Sequence, residues 1–120
     1  MGSRFEATLR RNKGGAIIDL RGDIESVAAD SPLSAAYADA IAGGASTVLL
    51  NFGEVGYINS TGIALIVGLL ARARRDHKSV TAYGLVDHYR EIFQITRLAD
   101  FMTIFPDEQS ALNGAAPSGT

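Results

Sequence analysis

The 120-residue chain contains no cysteine, which removes disulfides, thiolate metal sites and a cysteine nucleophile together. It also lacks any apolar run of the ~20 residues a membrane helix needs. The longest such stretch, Gly62 to Ala73, is too short and runs into Arg72, Arg74 and Arg75. Direct insertion into a membrane is not expected. Nor is there a secretory signal, since Met1 to Arg10 has no charged segment followed by an apolar one, and Glu6 spoils the acylation pattern that Met1-Gly2 opens. A cytoplasmic location is the expectation. Neither positive nor negative side chains dominate: the net charge is -2, which speaks against general affinity for nucleic acid. The local basic cluster of Arg72, Arg74, Arg75, His77 and Lys78 closes a predicted helix, where cations complement the negative end of the dipole.

Catalytic signatures are equally scarce. His77 and His88 stand apart without metal-ligand spacing, and no Gly-x-Ser-x-Gly surrounds Ser60. The glycines never form Gly-x-Gly-x-x-Gly or a Gly-Lys-Ser/Thr loop, so dinucleotide and P-loop readings fail. The sequence thus predicts no enzyme, no metal and no cofactor. Asn59-Ser60-Thr61 matches a glycosylation sequon, which without a secretion signal is read as fortuitous.

What is present is ordinary globular composition, 47% hydrophobic and 20% charged, in a chain of one-domain length. Phe5–Arg11 and Ala16–Arg21 read as a hairpin around Asn12-Lys13-Gly14-Gly15. Ser31-Pro32 offers a cap and a first-turn proline for a helix in which Leu33, Tyr37, Ala40 and Ile41 share a face, and Gly43-Gly44 stops it. Thr47–Phe52 reads as a buried central strand, Gly53–Tyr57 as its loop, and Asn59-Ser60 as the start of a helix reaching about Asp76. A strand over Val80–Tyr83, a helix from Asp87 with Tyr89, Ile92, Phe93 and Thr96 on one face, a strand over Met102–Phe105 and a turn opened by Pro106-Asp107-Glu108 complete the chain. The order β-β-α-β-α-β-α-β-α predicts an α/β fold with a mixed, largely parallel sheet and about four helices. Residues 1–4 are expected to be a cloning remnant or loose terminus, 5–112 the domain, and 113–120 a loose tail.

The segment Ile58-Asn59-Ser60-Thr61-Gly62 stands where a buried strand and its loop become a helix. Asn59 is a good N-cap, and the two hydroxyls beside it lie next to unpaired backbone N–H groups at the positive end of the dipole. Such a place tolerates a phosphate. Along the helix Ile63, Ile66, Val67, Leu70 and the stem of Arg74 form one stripe, expected to face the sheet. Thr61, Leu65, Gly68, Leu69 and Arg72 fall opposite, which would leave Leu65 and Leu69 outside beside the hydroxyls. Two occupants fit that apolar patch equally: another protein, or another element of this chain. Asp19, Asp23 and Glu25 form a further candidate patch, acidic, read mainly as a solvated edge. Tyr57 and Asn51 lie near the loop, where partner contact and a turn or core role are both open.

The stretch Val48–Arg75, VLLNFGEVGYINSTGIALIVGLLARARR, closely resembles the strand, loop and helix of STAS domains, particularly bacterial anti-sigma factor antagonists. Gly22-Asp23-Ile24-Glu25 resembles their Gly-acidic-apolar-Asp turn, and Ile95-Thr96-Arg97-Leu98 their apolar-Thr/Ser-Gly-Leu. The likeness spans about residues 5–112 and implies a STAS-like (SpoIIAA-like) fold. It further implies an anti-sigma factor antagonist that binds an anti-sigma factor and serine kinase of the histidine-kinase-like ATPase type, as a monomer or weak dimer. The family's phosphoacceptor serine falls on Ser60, with Thr61 as alternative; the residues of this chain expected to meet the partner are Asp23, Tyr57, Asn59, Ser60, Thr61, Gly62, Leu65, Gly68, Leu69 and Arg72. One departure stands out: the family usually has Asp-Ser-Ser/Thr-Gly, and this chain has Asn59 where the aspartate is expected. Within the same fold the rival roles are an accessory subunit of an ABC-type lipid or solute transporter and a subunit of a stress-sensing assembly.

Overall fold

The computed structural model describes residues 4–12 and 15–114. Residues 1–3 of the expected remnant or loose terminus at 1–4, the tip of the hairpin turn, and residues 115–120 of the expected tail at 113–120 lie outside the described residues. Strands β1 (Glu6–Asn12), β2 (Gly15–Arg21), β3 (Thr47–Glu54), β4 (Ser79–Tyr83) and β5 (Thr103–Phe105) form one sheet in the order β1-β2-β3-β4-β5. β1 pairs antiparallel with β2, and every later pair is parallel. β3 is the central strand, as its apolar run implies. Helices α1 (Asp30–Ala42), α2 (Ser60–Arg75), α3 (Asp87–Ile95) and α4 (Glu108–Gly114) complete the mixed α/β fold. No helix of the described residues is long and apolar enough to cross a membrane.

Strand side chains alternate between two faces. Ile18, Leu20, Val48, Leu50, Phe52 and Ala82 point into the main core, shared with Leu33 and Tyr37 of α1, Ile66 and Leu70 of α2, and Phe93 of α3. Ile17, Leu49 and Tyr83 point the other way, into a small second core closed by Ala111 of α4. Three helices thus cover one face, and the short terminal helix covers part of the other. α4 continues to Gly114, two residues into the segment expected to be a loose tail.

The start of α1 differs from the sequence-based expectation. A 3-10 turn over Val27–Ala29 runs directly into the helix, so the cap moves upstream: Ser26 Oγ accepts from the Ala28 N–H at 3.3 Å, and Ser31-Pro32 lies inside the first turn. Proline is harmless there because first-turn N–H groups lack helical acceptors anyway. The end matches, with Gly44 at φ 92 as the left-handed stop. On the buried side Ala36 joins Leu33, Tyr37 and Ala40, while Ile41 is half-buried.

α2 shows the largest departure. Its buried residues are Gly62, Ile66, Leu69, Leu70 and Ala73. The helix is therefore rotated from the predicted orientation: Leu69 is only 4% exposed, whereas Val67, placed by periodicity in the core, is 45% exposed. The cause is close packing at Gly62, where a Cβ would overlap the carbonyl oxygen of Ile24 and crowd Ile58. Gly62 must face inward, and with it the residues one, two and three turns on.

Candidate functional site

The N-terminus of α2 is fixed from three directions. The segment before it forms an isolated parallel bridge between Ile58 and Ile24, in which the Ile24 N–H donates to the Tyr57 carbonyl at 2.9 Å and the Asn59 N–H to the Ile24 carbonyl at 3.2 Å. From α3, the hydroxyl of buried Tyr89 accepts the Ile58 N–H at 3.0 Å. Finally, the Asn59 side chain joins helix and loop, its Oδ1 accepting from the Gly62 N–H at 3.0 Å and its Nδ2 donating to the Glu25 carbonyl at 3.0 Å. The opposite amide orientation would set a donor against the Gly62 N–H, so the network fixes the assignment.

This double use explains the asparagine. A carboxylate at position 59 can accept from Gly62, but it has no proton to give to Glu25 and would face that carbonyl with like partial charge. The cap is of the kind the sequence predicts; its second bond across to the β2–α1 loop is what only an amide supplies.

Ser60 occupies the first helical position and is exposed, and among the described residues its hydroxyl has no hydrogen-bond partner. Thr61 beside it is half-buried. The Ser60 hydroxyl therefore meets solvent at the positive end of a 16-residue helix dipole, where added negative charge is favourable. Tyr57, 47% exposed, stands on the adjoining loop. Asp23 is half-buried and lines a hollow of about 670 Å³ with Glu6 and Glu25. Asp23, Tyr57, Asn59, Ser60, Thr61 and Gly62 are thus gathered at one end of the molecule.

The remaining predicted contacts part from them. Leu65, Gly68, Leu69 and Arg72 run down the side of α2 that faces α1 and line a groove of about 220 Å³ with Leu33. Leu69 is buried there, Leu65 and Arg72 are half-buried, and Gly68 alone of the four is exposed. Arg72 lies over the ring of Tyr37 at 4.9 Å, and the Tyr37 hydroxyl donates to Asp76 at 2.8 Å. Burial and the neighbouring carboxylate push that phenol up to about 12. Of the two occupants open for Leu65 and Leu69, the chain's own core takes Leu69, while Leu65 packs against it and stays half-buried. The side of α2 that stays open carries Ser60, Val67 and Arg74, spaced by seven residues and so nearly in line.

The three acids expected near the hairpin also separate. Asp19 points to the other face of the sheet, where Arg10 forms an ion pair with it and Asn51 Nδ2 donates to it at 2.8 Å. Arg10 also reaches Glu108 at 2.7 Å, and Glu108 accepts from the Tyr83 hydroxyl at 2.6 Å. Hydrogen bonding to Arg10, foremost, holds both carboxyls below their ordinary range. Asn51 has a turn role as well, its Oδ1 accepting from the Gly53 N–H at 2.9 Å. Among the described residues no group of three or more His, Asp or Glu is placed to hold a metal ion.

Sequence reasoning missed two residues. Tyr89 was placed on the buried face of α3, but not as the anchor of the loop; a tyrosine among apolar core positions is itself the signal, because a buried hydroxyl needs a partner. Val67 was assigned to the core because periodicity alone does not fix helix rotation.

Residues 7–105 match a family model described as "Mlab, STAS domain". An anti-sigma-B factor antagonist of Staphylococcus aureus is 33% identical over 61 residues, covering 51% of this chain and 56% of that protein. The match thus spans little more than half the length of that curated relative. BtrV of Bordetella bronchiseptica, named as a candidate anti-sigma factor antagonist, is 29% identical over 112 residues, 93% of each chain. Among solved structures, the Bacillus cell fate determinant SpoIIAA in its phosphorylated form superposes with a TM-score of 0.68 at 19% identity, covering 93% of this chain and 99% of that one. At that identity the likeness is one of fold.

Proposed function

This chain belongs to the STAS domain family, and from that membership we propose that it is an anti-sigma factor antagonist, acting by binding an anti-sigma factor rather than by catalysis. The similar proteins of Staphylococcus aureus and Bordetella bronchiseptica carry that role in their names. The observation that carries the proposal is the exposed hydroxyl of Ser60 on a helix tip held by Asn59, Gly62 and Tyr89.

In this reading the partner is also a serine kinase of the histidine-kinase-like ATPase type, and Ser60 is its acceptor. Thr61 is the poorer acceptor, being half-buried. A phosphate on Ser60 brings about -1.5 to -2 charges to the tip. The domain tolerates it, because the helix dipole favours an anion there and the hydroxyl gives up no internal bond. A partner closing over the tip does not, because it must strip water from those charges. Phosphorylation thus releases the partner while the fold persists. Asp23 and Tyr57 border the same surface, and Gly62 sets its shape from beneath; the share of Leu65, Gly68, Leu69 and Arg72 is confined to what α1 leaves uncovered.

Incubation with the cognate kinase and ATP is expected to add one phosphate, located at Ser60 by fragmentation and absent from Ser60→Ala. An unchanged intact mass with a kinase active on another substrate counts against the reading. Affinity capture from the host that yields an ABC-type ATPase would favour the transporter role.

A further inference from the structure

We infer that the open side of α2 and the 3-10 turn over Leu98–Asp100 that follows α3 form a second docking surface, suited to a segment of a partner protein that combines apolar side chains with carboxylates. Between α2 and the turn lies a hollow of about 310 Å³ whose walls include Val67, Leu70, Ala71, Leu98 and Phe101. Its floor, Leu70 and Leu98, is buried, while its rims, Val67 and Phe101, are 45% and 54% exposed. A second hollow, of about 470 Å³, adjoins it and shares Leu70, Arg74 and Phe101. Two large apolar side chains thus stand in solvent on either side of a concave apolar surface.

Charge identifies the occupant. Arg74 lies across the ridge between the hollows with its guanidinium 5.4 Å from the Phe101 ring centre. Lys78 lines the second hollow and Arg97 the first. Asp100 is the carboxylate at this rim, and Arg97 already holds it at 2.7 Å. None of the ion pairs among the described residues involves Arg74 or Lys78. On a chain with net charge -2, this end is locally cationic. Cations at a helix C-terminus are ordinary. Here, though, the cations come from two helix ends, Arg74 and Lys78 from that of α2 and Arg97 from that of α3, where it sits at φ 69, a conformation in which glycine is favoured.

A second copy of the chain is disfavoured, because a two-fold contact would set Arg74 and Lys78 of one copy against those of the other. A lipid surface is flat where this one is concave. An acidic peptide segment satisfies both features: its apolar side chains enter the hollows and its carboxylates meet the rim.

The inference stands independently of Ser60 as phosphoacceptor. Arg74 lies fourteen residues along the helix, roughly 21 Å away, well beyond the ~8 Å screening length at physiological salt.

The test is titration of the isotope-labelled full chain with two 15-residue peptides that share Leu and Phe positions at helical spacing, one otherwise rich in Glu and one in Lys. The Glu peptide is expected to shift the amides of Val67, Ala71, Leu98 and Phe101, to bind at least tenfold more weakly to Arg74→Glu/Lys78→Glu, and to weaken with added salt. Phe101→Ser, an exposed change that spares the core, is expected to weaken it as well, whereas Ser60→Glu leaves it unchanged. Absence of shifts at millimolar peptide, equal response to both peptides, or shifts mapping elsewhere overturns the inference. So do shifts produced by vesicles of phosphatidylcholine with 30% phosphatidylserine but not by peptide, and shifts that vary with protein concentration alone.

Discussion

At the residue scale, the site depends on groups that each make one local choice impossible to exchange freely. Asn59 both accepts from the Gly62 N–H and donates to the Glu25 carbonyl. Asn59→Ala loses the cap, which usually costs about 0.5–2 kcal/mol, and the bond to Glu25 as well, so a total of about 1–2 kcal/mol is expected. Asn59→Asp keeps the acceptor and gains from the dipole, so its cost should be smaller, about 0.5–1 kcal/mol for one lost hydrogen bond. Denaturant titration of the three proteins orders them Asn, Asp, Ala in falling stability; an aspartate variant as unstable as the alanine one would deny the cap its main role. Tyr89 is the complementary case. Tyr89→Phe keeps the packing but strands the Ile58 N–H, a buried donor, at a cost of about 1–3 kcal/mol. Faster amide exchange confined to Ile58–Thr61 is the local signature, and unaltered exchange there would show that the hydroxyl does not hold the loop.

At the element scale, α2 shows what periodicity can and cannot convey. The start, the cap and the end of the helix were legible, because Asn59, the apolar run and the closing arginines are local signals. Its rotation was not. Apolar residues on two sides fit two orientations, and the choice falls to a contact with Ile24, far off in sequence, that admits only glycine at position 62. The start of α1 was misread for a related reason, since Ser31-Pro32 is a valid signal that the preceding 3-10 turn makes unnecessary. α4 is held on by a polar cluster on the opposite face, Glu108 with Arg10 and Tyr83. Folded-state hydrogen bonds hold the Asp19 and Glu108 carboxyls below their ordinary range, so the stabilisation they provide is complete above about pH 5 and is lost as pH falls below about 4. Arg10 and Glu108 are partly exposed and screened by water, so Glu108→Gln should cost no more than about 1 kcal/mol at pH 7. The difference from the unchanged protein should shrink as pH falls below about 4 and vanish once Glu108 is protonated in the folded state as well. A gap that persists in acid would mean that packing, not charge, carries the effect.

At the scale of the whole molecule, the order of elements, the central position of β3 and the parallel pairing all follow from alternating apolar runs and turn signals. The polar cluster on the back of the sheet was not legible, because its members sit singly on β1, β2, β3, β4 and α4, and the antiparallel and parallel registers alone bring them together. Asp19 was grouped with Asp23 and Glu25 by closeness in sequence; the pleat sends it to the other side. The fold thus divides its labour: three helices bury the main core on one face, the back face fastens the terminal helix, and one end of the molecule offers Ser60 to solvent. If Ser60 is phosphorylated as proposed, the added charge would act at that tip with no change of shape.

Calorimetric titration of the candidate anti-sigma kinase with the unphosphorylated chain and with the same chain phosphorylated at Ser60, both shown to be folded, is the most direct measurement. The first is expected to bind firmly and the second at least tenfold more weakly. Equal affinity of the two forms would contradict that expectation.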